Sequence, residues 1–216
     1  MTVFEHAMIG ASLGLAAGMQ KRHGWRVIGM AAMAGALPDW DGLSILFGPE
    51  AYARAHRVWG HNLLAAGAGG LMIAWLEYRF CILTRLAQSI ARRLPGLVLP
   101  AGALTPPERG KSRGELGAWL ALGLTAGYSH LLADYFYSGH PSLHTWGLPL
   151  LWPFSNLVWA RPTVAWGDLG ATLIFVAEMF ALYRWPGRAR LIAWLALVAV
   201  AAYVAVHALG NAKLAG

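Results

Sequence analysis

Residues 115 to 136 read ELGAWLALGLTAGYSHLLADYF, an apolar run that carries His130 and Asp134 near its end. A helix needs about 20 mostly apolar residues to cross a bilayer, so this run is long enough. Positions four apart share one helix face, and His130 and Asp134 could therefore bind one metal ion together. By itself the pair is weak evidence for a metal site, because this spacing fits a buried hydrogen-bonded pair better. The apolar surroundings favour a functional role, because ionisable groups are costly inside a membrane.

The whole chain is apolar. Its 216 residues are 57% hydrophobic and 12% charged, with a mean hydropathy of +0.48, which excludes an ordinary soluble domain. Three further runs are long enough to span a bilayer: 61–83, 163–183 and 190–208. Two apolar runs are shorter: 4–19 and 25–38. We therefore predict an all-α, polytopic membrane helical bundle with about six membrane-embedded helices, the first two short, in a single membrane domain covering residues 1–216.

The basic residues predict the orientation. Most of the 17 Lys and Arg residues fall in the first turn, the last turn and a connector at residues 84–114, and such loops stay cytoplasmic. This predicts a multi-pass protein of the bacterial inner (plasma) membrane, with an aromatic loop at 137–162 facing the periplasm or exterior. The formal charge of +7 then reflects orientation and contact with anionic lipids at the inner surface, and we expect no nucleic-acid partner. A cytoplasmic regulatory protein could also dock on the connector.

Candidate metal ligands recur at the outward ends of the first four apolar runs. LPDWDG, residues 37–42, offers two carboxylates that suit a divalent cation, and Gly42 predicts a sharp turn after them. An Asp-rich turn that caps a helix is the alternative. HRVWGHN, residues 56–62, offers two imidazoles that can converge across a turn permitted by Gly60. Seven side chains are thereby predicted at one membrane face, which suggests one site: His6, Asp39, Asp41, His56, His61, His130 and Asp134.

Arg57 lies beside these candidates on the outward side, where basic residues are scarce. A planar guanidinium there could grip phosphate oxygens through two hydrogen bonds. A salt bridge to Asp39 or Asp41 is the alternative.

The motifs together resemble a known family, the LexA-binding, inner-membrane-associated hydrolases, also described as membrane-bound metal-dependent hydrolases. The resemblance covers about the first 155 residues, in order and at comparable spacing. It rests on five features: His6, LPDWD at 37–41, HRVWGHN at 56–62, GYSHLLAD at 127–134 and GLPLLWPFS at 147–155. Gly42 departs from the pattern, because family members often carry a further histidine there.

That family is distantly similar to zinc-dependent phospholipase C, which implies that all seven candidates are metal ligands. The implied cofactor is a divalent metal, zinc in view of the many histidines, as one to three ions. The implied activity is metal-dependent hydrolysis of a phosphoester, with Arg57, Asp39 and Asp41 as catalytic residues. A site at the outward interface suggests a lipid or lipid-linked phosphate as substrate.

Two other functions fit parts of the pattern. A divalent-metal transporter also needs histidines and carboxylates, but it should place them near the bilayer midplane. A non-catalytic membrane scaffold would bind a cytoplasmic regulator through the connector at 84–114. It would tolerate the loss of His130 or Asp134.

Overall fold

A computed structural model describes residues 1–93, 113–140 and 144–214 of the chain. The fold is helical, as predicted. Its α-helices are α1 (Val3–Ala16), α2 (Met19–His23), α3 (Trp25–Ala36), α4 (Pro49–Ala55), α5 (Leu63–Phe80), α6 (Ile82–Arg93), α7 (Arg113–Phe136), α8 (Gly170–Arg184) and α9 (Ala189–Leu214). Two 3-10 helices span Leu37–Phe47 and Pro186–Arg188. The loop after α7 contains an antiparallel pair of two-residue strands, β1 (Gly139–His140) and β2 (His144–Thr145).

Fewer helices than the predicted six are long enough to cross a bilayer. Among the described residues, Gly114–Phe136 and Pro186–Gly210 qualify, and α5 with α6 makes a third if this pair, bent by 69°, is one span. The predicted run at 163–183 was too long, because its helix begins only at Gly170 and has 15 residues. At ~1.5 Å per residue such a helix is about 22 Å long, short of a core of about 30 Å.

Two helix pairs approach so closely that only glycine fits between them. A Cβ atom on Gly10 of α1 would lie 2.1 Å from the carbonyl oxygen of Ala31 in α3. One on Gly70 of α5 would lie 2.3 Å from the carbonyl oxygen of Gly123 in α7. Close contact through small residues is a usual way for membrane helices to associate. Helices α1, α3, α5 and α7 thereby form the core of the bundle, with α8 and α9 packed against α1.

A buried polar network fixes the bend between α5 and α6. Glu77 pairs with Arg26 at 3.0 Å and accepts hydrogen bonds from the Thr84 hydroxyl and the Leu83 amide, each 2.7 Å long. Cys81 at the bend has a φ of 55°, in the left-handed region. The network caps the start of α6, which forms the first part of the predicted connector. Residues 94–112 of that connector lie outside the described residues.

Candidate metal centre

All seven predicted ligands meet in one buried cluster. His6 comes from α1 and His130 and Asp134 from α7, while the 3-10 helix Leu37–Phe47 supplies the two aspartates. The turn between α4 and α5 supplies His56 and His61. A chain of short side-chain contacts connects the seven: His56–Asp41 2.8 Å, Asp41–His61 3.0 Å, His61–Asp39 3.4 Å, His61–His130 3.1 Å, His61–Asp134 3.4 Å and Asp134–His6 3.1 Å. The predicted convergence of the seven side chains is therefore present in the structure.

Two imidazole nitrogens lie close to each other and to carboxylate oxygens of two aspartates. His61 Nε2 lies 3.1 Å from His130 Nε2 and 3.4 Å from both Asp39 Oδ1 and Asp134 Oδ2. His130 Nε2 lies 3.8 Å and 3.9 Å from the same two oxygens. Zinc bonds to nitrogen and oxygen are ~2.0–2.1 Å long, so neighbouring ligands of a tetrahedral site lie about 3.3 Å apart. The ligand atoms of His61, His130 and Asp39 lie within 4.8 Å of one another, and so do those of His6, His130 and Asp134, so either group could hold one cation after small movements.

His6 extends this group. Its Nε2 lies 3.1 Å from the other oxygen of Asp134, and its ring stacks on His130 with centroids 3.5 Å apart. Among the described residues, neither its Nδ1 nor Asp39 Oδ2 has a hydrogen-bond partner, although both atoms are buried. Buried polar atoms are nearly always satisfied. These two unsatisfied atoms lie beside the other candidate ligand atoms, as expected for a site in which a bound cation and its further ligands would satisfy them.

Hydrogen bonds at Nδ1 orient three of the histidines. Both oxygens of Asp41 are engaged, one by His56 Nδ1 at 2.8 Å and the other by His61 Nδ1 at 3.0 Å. His130 Nδ1 donates to the carbonyl oxygen of Gly35 at 2.8 Å. Because these acceptors require a hydrogen on Nδ1, the Nε2 atom of a neutral ring keeps its lone pair for a metal. Asp41 thus contacts His56 and His61 at the ring nitrogen opposite to the one that would face a metal.

Gly60 and Gly42 act differently from their expected roles. Neither has a positive φ, and Gly42 lies within the 3-10 helix Leu37–Phe47, so the predicted sharp turn at Gly42 is wrong. Glycine is required at position 60 because the backbone of Pro38 lies too close for a side chain. A Cβ atom there would lie 1.9 Å from the carbonyl oxygen of Pro38, and the Gly60 amide donates to Asp41 at 2.8 Å. The LPDWDG and HRVWGHN segments are in direct backbone contact.

Arg57 pairs with a different aspartate from those expected. Its side chain is buried, with Nη2 lying 2.9 Å from Asp134 Oδ2 and Nη1 donating to the carbonyl oxygen of Trp146 at 2.5 Å. The guanidinium also lies over the Trp146 ring, 4.8 Å from its centroid. Arg57 has a φ of 64°, uncommon for a residue with a side chain and a feature that clusters at functional sites. It links the centre to the aromatic loop.

The two aspartates of LPDWDG are held ionised. Burial would raise the pKa of Asp39, but a hydrogen bond with His61 and the nearby imidazoles lower it overall. Burial opposes ionisation of Asp41 as well, and hydrogen bonds from His56, His61 and Gly60 lower its pKa well below the usual range. Burial disfavours a charged His61, yet the carboxylates of Asp134, Asp39 and Asp41 raise its pKa to about 10. This part of the cluster attracts positive charge.

Several groups at the centre were not identified from the sequence. The amino nitrogen of Met1 lies 2.6 Å from Asp134 Oδ1, and Gly35 contributes a backbone carbonyl. Tyr52 stacks on His56 with ring centroids 4.6 Å apart. Its position four residues before His56 was a usable signal, because α4 brings residues at that spacing to one face. A terminal amine and a carbonyl leave no comparable pattern in a sequence.

The match to known protein families covers almost the whole chain. The family model of the YdjM inner membrane protein aligns with residues 1–214. The chain belongs to the YdjM inner membrane protein family. Membership of the YdjM family and the membrane-length helices agree with the predicted inner-membrane location. The chain matched no curated protein and no solved structure.

Proposed function

We propose that this YdjM family member is a membrane-bound metal-dependent hydrolase that cleaves a phosphoester in a lipid or lipid-linked substrate at the outer face of the inner membrane. The observation that carries the proposal is that the Nε2 atoms of His61 and His130 lie 3.1–3.9 Å from each other and from a carboxylate oxygen of both Asp39 and Asp134. They come from three separate elements and are buried together.

The donor set favours zinc among the divalent cations, because imidazole and carboxylate are common zinc ligands. His61, His130, Asp39 and Asp134 would hold the ion, with His6 as a further ligand or as the partner of Asp134. In such a site the cation would act as a Lewis acid on the phosphoryl group and would lower the pKa of a bound water toward ~7. We assign Asp41 to orienting His56 and His61, in place of the catalytic or ligand role considered from the sequence.

Asp39 is the best candidate for a general base among the three aspartates of the centre. Its Oδ2 accepts no hydrogen bond from the described part of the chain, and its side chain keeps 11% exposure, more than those of Asp41 and Asp134. A carboxylate with an uncommitted oxygen can take a proton from water. Arg57 is held by Asp134 and Trp146. Its contribution to phosphate binding would come after a rearrangement or through Nε, which has no partner among the residues that the structure describes.

A lipid substrate is supported by the surface near the centre. The 3-10 helix that carries the two aspartates exposes Leu46 at 78% and Phe47 at 85%, and Phe154 of the aromatic loop is exposed at 86%. Trp40 and Trp59 stack on each other beside the two ligand segments, each 47% exposed. Tryptophan is typical of the membrane interface, and large exposed apolar patches mark membrane contact.

Elemental analysis combined with an activity panel tests the proposal. Detergent-purified wild type, His130→Ala and Asp134→Ala would be measured for bound metal and assayed against phospholipids and polyprenyl phosphates. His207→Ala serves as the control, because His207 contacts Tyr203 in α9 and not the cluster. We expect stoichiometric metal and hydrolysis in wild type and control, and loss of both in the two centre variants. Equal metal content in all four proteins would remove the hydrolase proposal and favour the scaffold.

A further inference from the structure

A long apolar groove runs between α1, α7 and α9. It has a volume of about 540 Å³ and is lined by side chains such as Ile9, Leu13, Leu132, Phe136, Val200 and Val204. The polar residues among its described lining are Ser129, Tyr137 and Arg161. The volume is within the range of small-molecule sites, ~300–1,000 Å³. The groove is therefore large enough for a hydrocarbon ligand.

One end of the groove adjoins the candidate metal centre. Met1 lines the groove, and its amino nitrogen lies 2.6 Å from Asp134 Oδ1. Ile9 follows His6 by one turn on α1, and Ala133, which also lines the groove, precedes Asp134 on α7. The same two helices therefore supply ligands to the centre and a wall to the groove.

The length of the groove matches the depth of one bilayer leaflet. Its lining on α9 extends from Leu197 to Ala208. At ~1.5 Å per residue this distance is about 16 Å, and half of a hydrocarbon core of about 30 Å is about 15 Å. A lipid chain anchored at the membrane surface reaches to the same depth.

The end of the groove near the candidate metal centre carries a cation. Arg161 lines it there, and its amide donates to the carbonyl oxygen of Tyr135, just before the end of α7. Its side chain is exposed and can approach a phosphate. A charged group at one end of an apolar groove thus matches a lipid, which has a charged head group at one end of an apolar chain.

We propose that the groove holds one hydrocarbon chain of a phosphate-bearing lipid whose head group lies at the candidate metal centre. The inference rests on the proposed function and adds the site that selects a long-chain substrate. The shared chemistry is a phosphate on an extended apolar chain. Diacylglycerol phosphates and polyprenyl phosphates both have it.

The test measures lipid retention by native mass spectrometry of the full-length protein, purified in detergent and treated with a chelator so that the probe is not consumed. The probes are dioleoyl phosphatidic acid, a polyprenyl phosphate and dioleoylglycerol, which lacks the phosphate. Ala201→Phe and Ala205→Phe each place a ring in the groove. Ala202→Phe is the matched control, because Ala202 is an exposed neighbour on α9 that does not line the groove.

We expect wild type and Ala202→Phe to retain one phosphate-bearing lipid. Both groove variants should retain it at least about tenfold more weakly, the effect of displacing roughly two methylene groups. The phosphate-bearing probe that is retained identifies the lipid class. A wild type with this lipid pattern that takes up no zinc would contradict the hydrolase and still support the groove as a lipid site.

Three results would overturn the groove proposal. The first is equal retention of phosphate-bearing lipid by wild type and both groove variants. The second is equal retention of dioleoylglycerol and phosphatidic acid by wild type, which would show that lipid binding in the groove does not depend on the phosphate. The third is a wild-type dimer without lipid that Ala201→Phe dissociates, which would make this face a contact between two copies.

Discussion

The Nε2 atoms of His61 and His130 lie 3.1 Å apart, although 69 residues separate the two histidines in the chain. The Nδ1 atoms of both rings are occupied, by Asp41 and by the Gly35 carbonyl. Two neutral imidazoles in this arrangement would turn their lone pairs toward each other. A positive charge between them, either a proton or a metal ion, removes that repulsion. The pair is therefore a site for a cation.

The orienting role of Asp41 predicts a graded loss of metal affinity. Asp41→Asn should weaken zinc binding about 10–100-fold, because an amide can accept from one of the two imidazoles but presents a donor to the other. Asp39→Ala should weaken it more, since it removes a ligand. Competition with a chromophoric chelator measures both affinities. Equal losses in the two variants would indicate that Asp41 binds the metal directly.

Zinc binding should release a proton at neutral pH. Because the pKa of His61 is raised to about 10, the metal-free protein holds this proton at pH 7, and zinc must displace it. Zinc affinity should therefore increase with pH until about pH 10. Calorimetric titrations in two buffers of different ionisation enthalpy measure the proton count. Identical heats in both buffers would contradict the prediction.

The same raised pKa affects the metal-free fold. The contribution of protonated His61 to stability is complete below pH 6.5, its ordinary pKa, and is lost as the pH rises through about 10. Thermal melting of chelator-treated protein between these values measures it. In His61→Gln the melting temperature should change much less with pH over this range.

Gly60→Ala should destabilise the protein and abolish stoichiometric zinc binding. Its Cβ would lie 1.9 Å from the Pro38 carbonyl oxygen, so the two ligand segments would have to separate. Overpacking of this kind costs roughly 1–3 kcal/mol. The control is Gly29→Ala in α3, where a Cβ meets nothing within 4 Å. It should be neutral or stabilising by up to about 1 kcal/mol, because alanine favours helix. Similar melting temperatures for both variants would refute the close contact.

Glu77→Ala should destabilise the protein by about 3–5 kcal/mol, because it leaves the Arg26 charge buried without its partner. Glu77 also accepts from Thr84 and Leu83 at the start of α6, so the bend should loosen. Glu50→Ala is the comparison, since Glu50 forms an exposed pair with Arg54 at 3.8 Å and should matter by less than about 0.5 kcal/mol. Detergent-denaturation midpoints compare the two. A small effect of Glu77→Ala would mean that the network does not hold the bend.

The sequence was sufficient to predict the helical class and the seven clustered side chains. Two signals carried that prediction: ionisable residues inside apolar runs, and their common position at one end of each run. The partner of Arg57 was not predictable in the same way. Asp134 lies 77 positions from Arg57 in the chain, and only the packing of α7 against α3 and α5 brings it closer than Asp39 or Asp41.

The number of spanning helices was overestimated for a physical reason. Apolar composition extends over 163–183, but the helix there begins at Gly170, after an extended segment that pairs with the loop following α7. Val164 and Trp166 exchange backbone hydrogen bonds with Phe136 and Gly139. Hydropathy responds to burial in protein and in lipid alike, so it cannot separate the two. The role of Gly60 was likewise hidden, because a close approach between segments has no local signature.

X-ray absorption spectroscopy of the zinc-loaded, purified protein tests the central claim most directly. We expect one zinc per chain with a shell of nitrogen and oxygen at ~2.0–2.1 Å and outer-shell scattering from at least two imidazoles, reduced in His130→Ala. Absence of stoichiometric zinc, or a shell without imidazole scattering, would contradict the assignment of His61 and His130 as ligands.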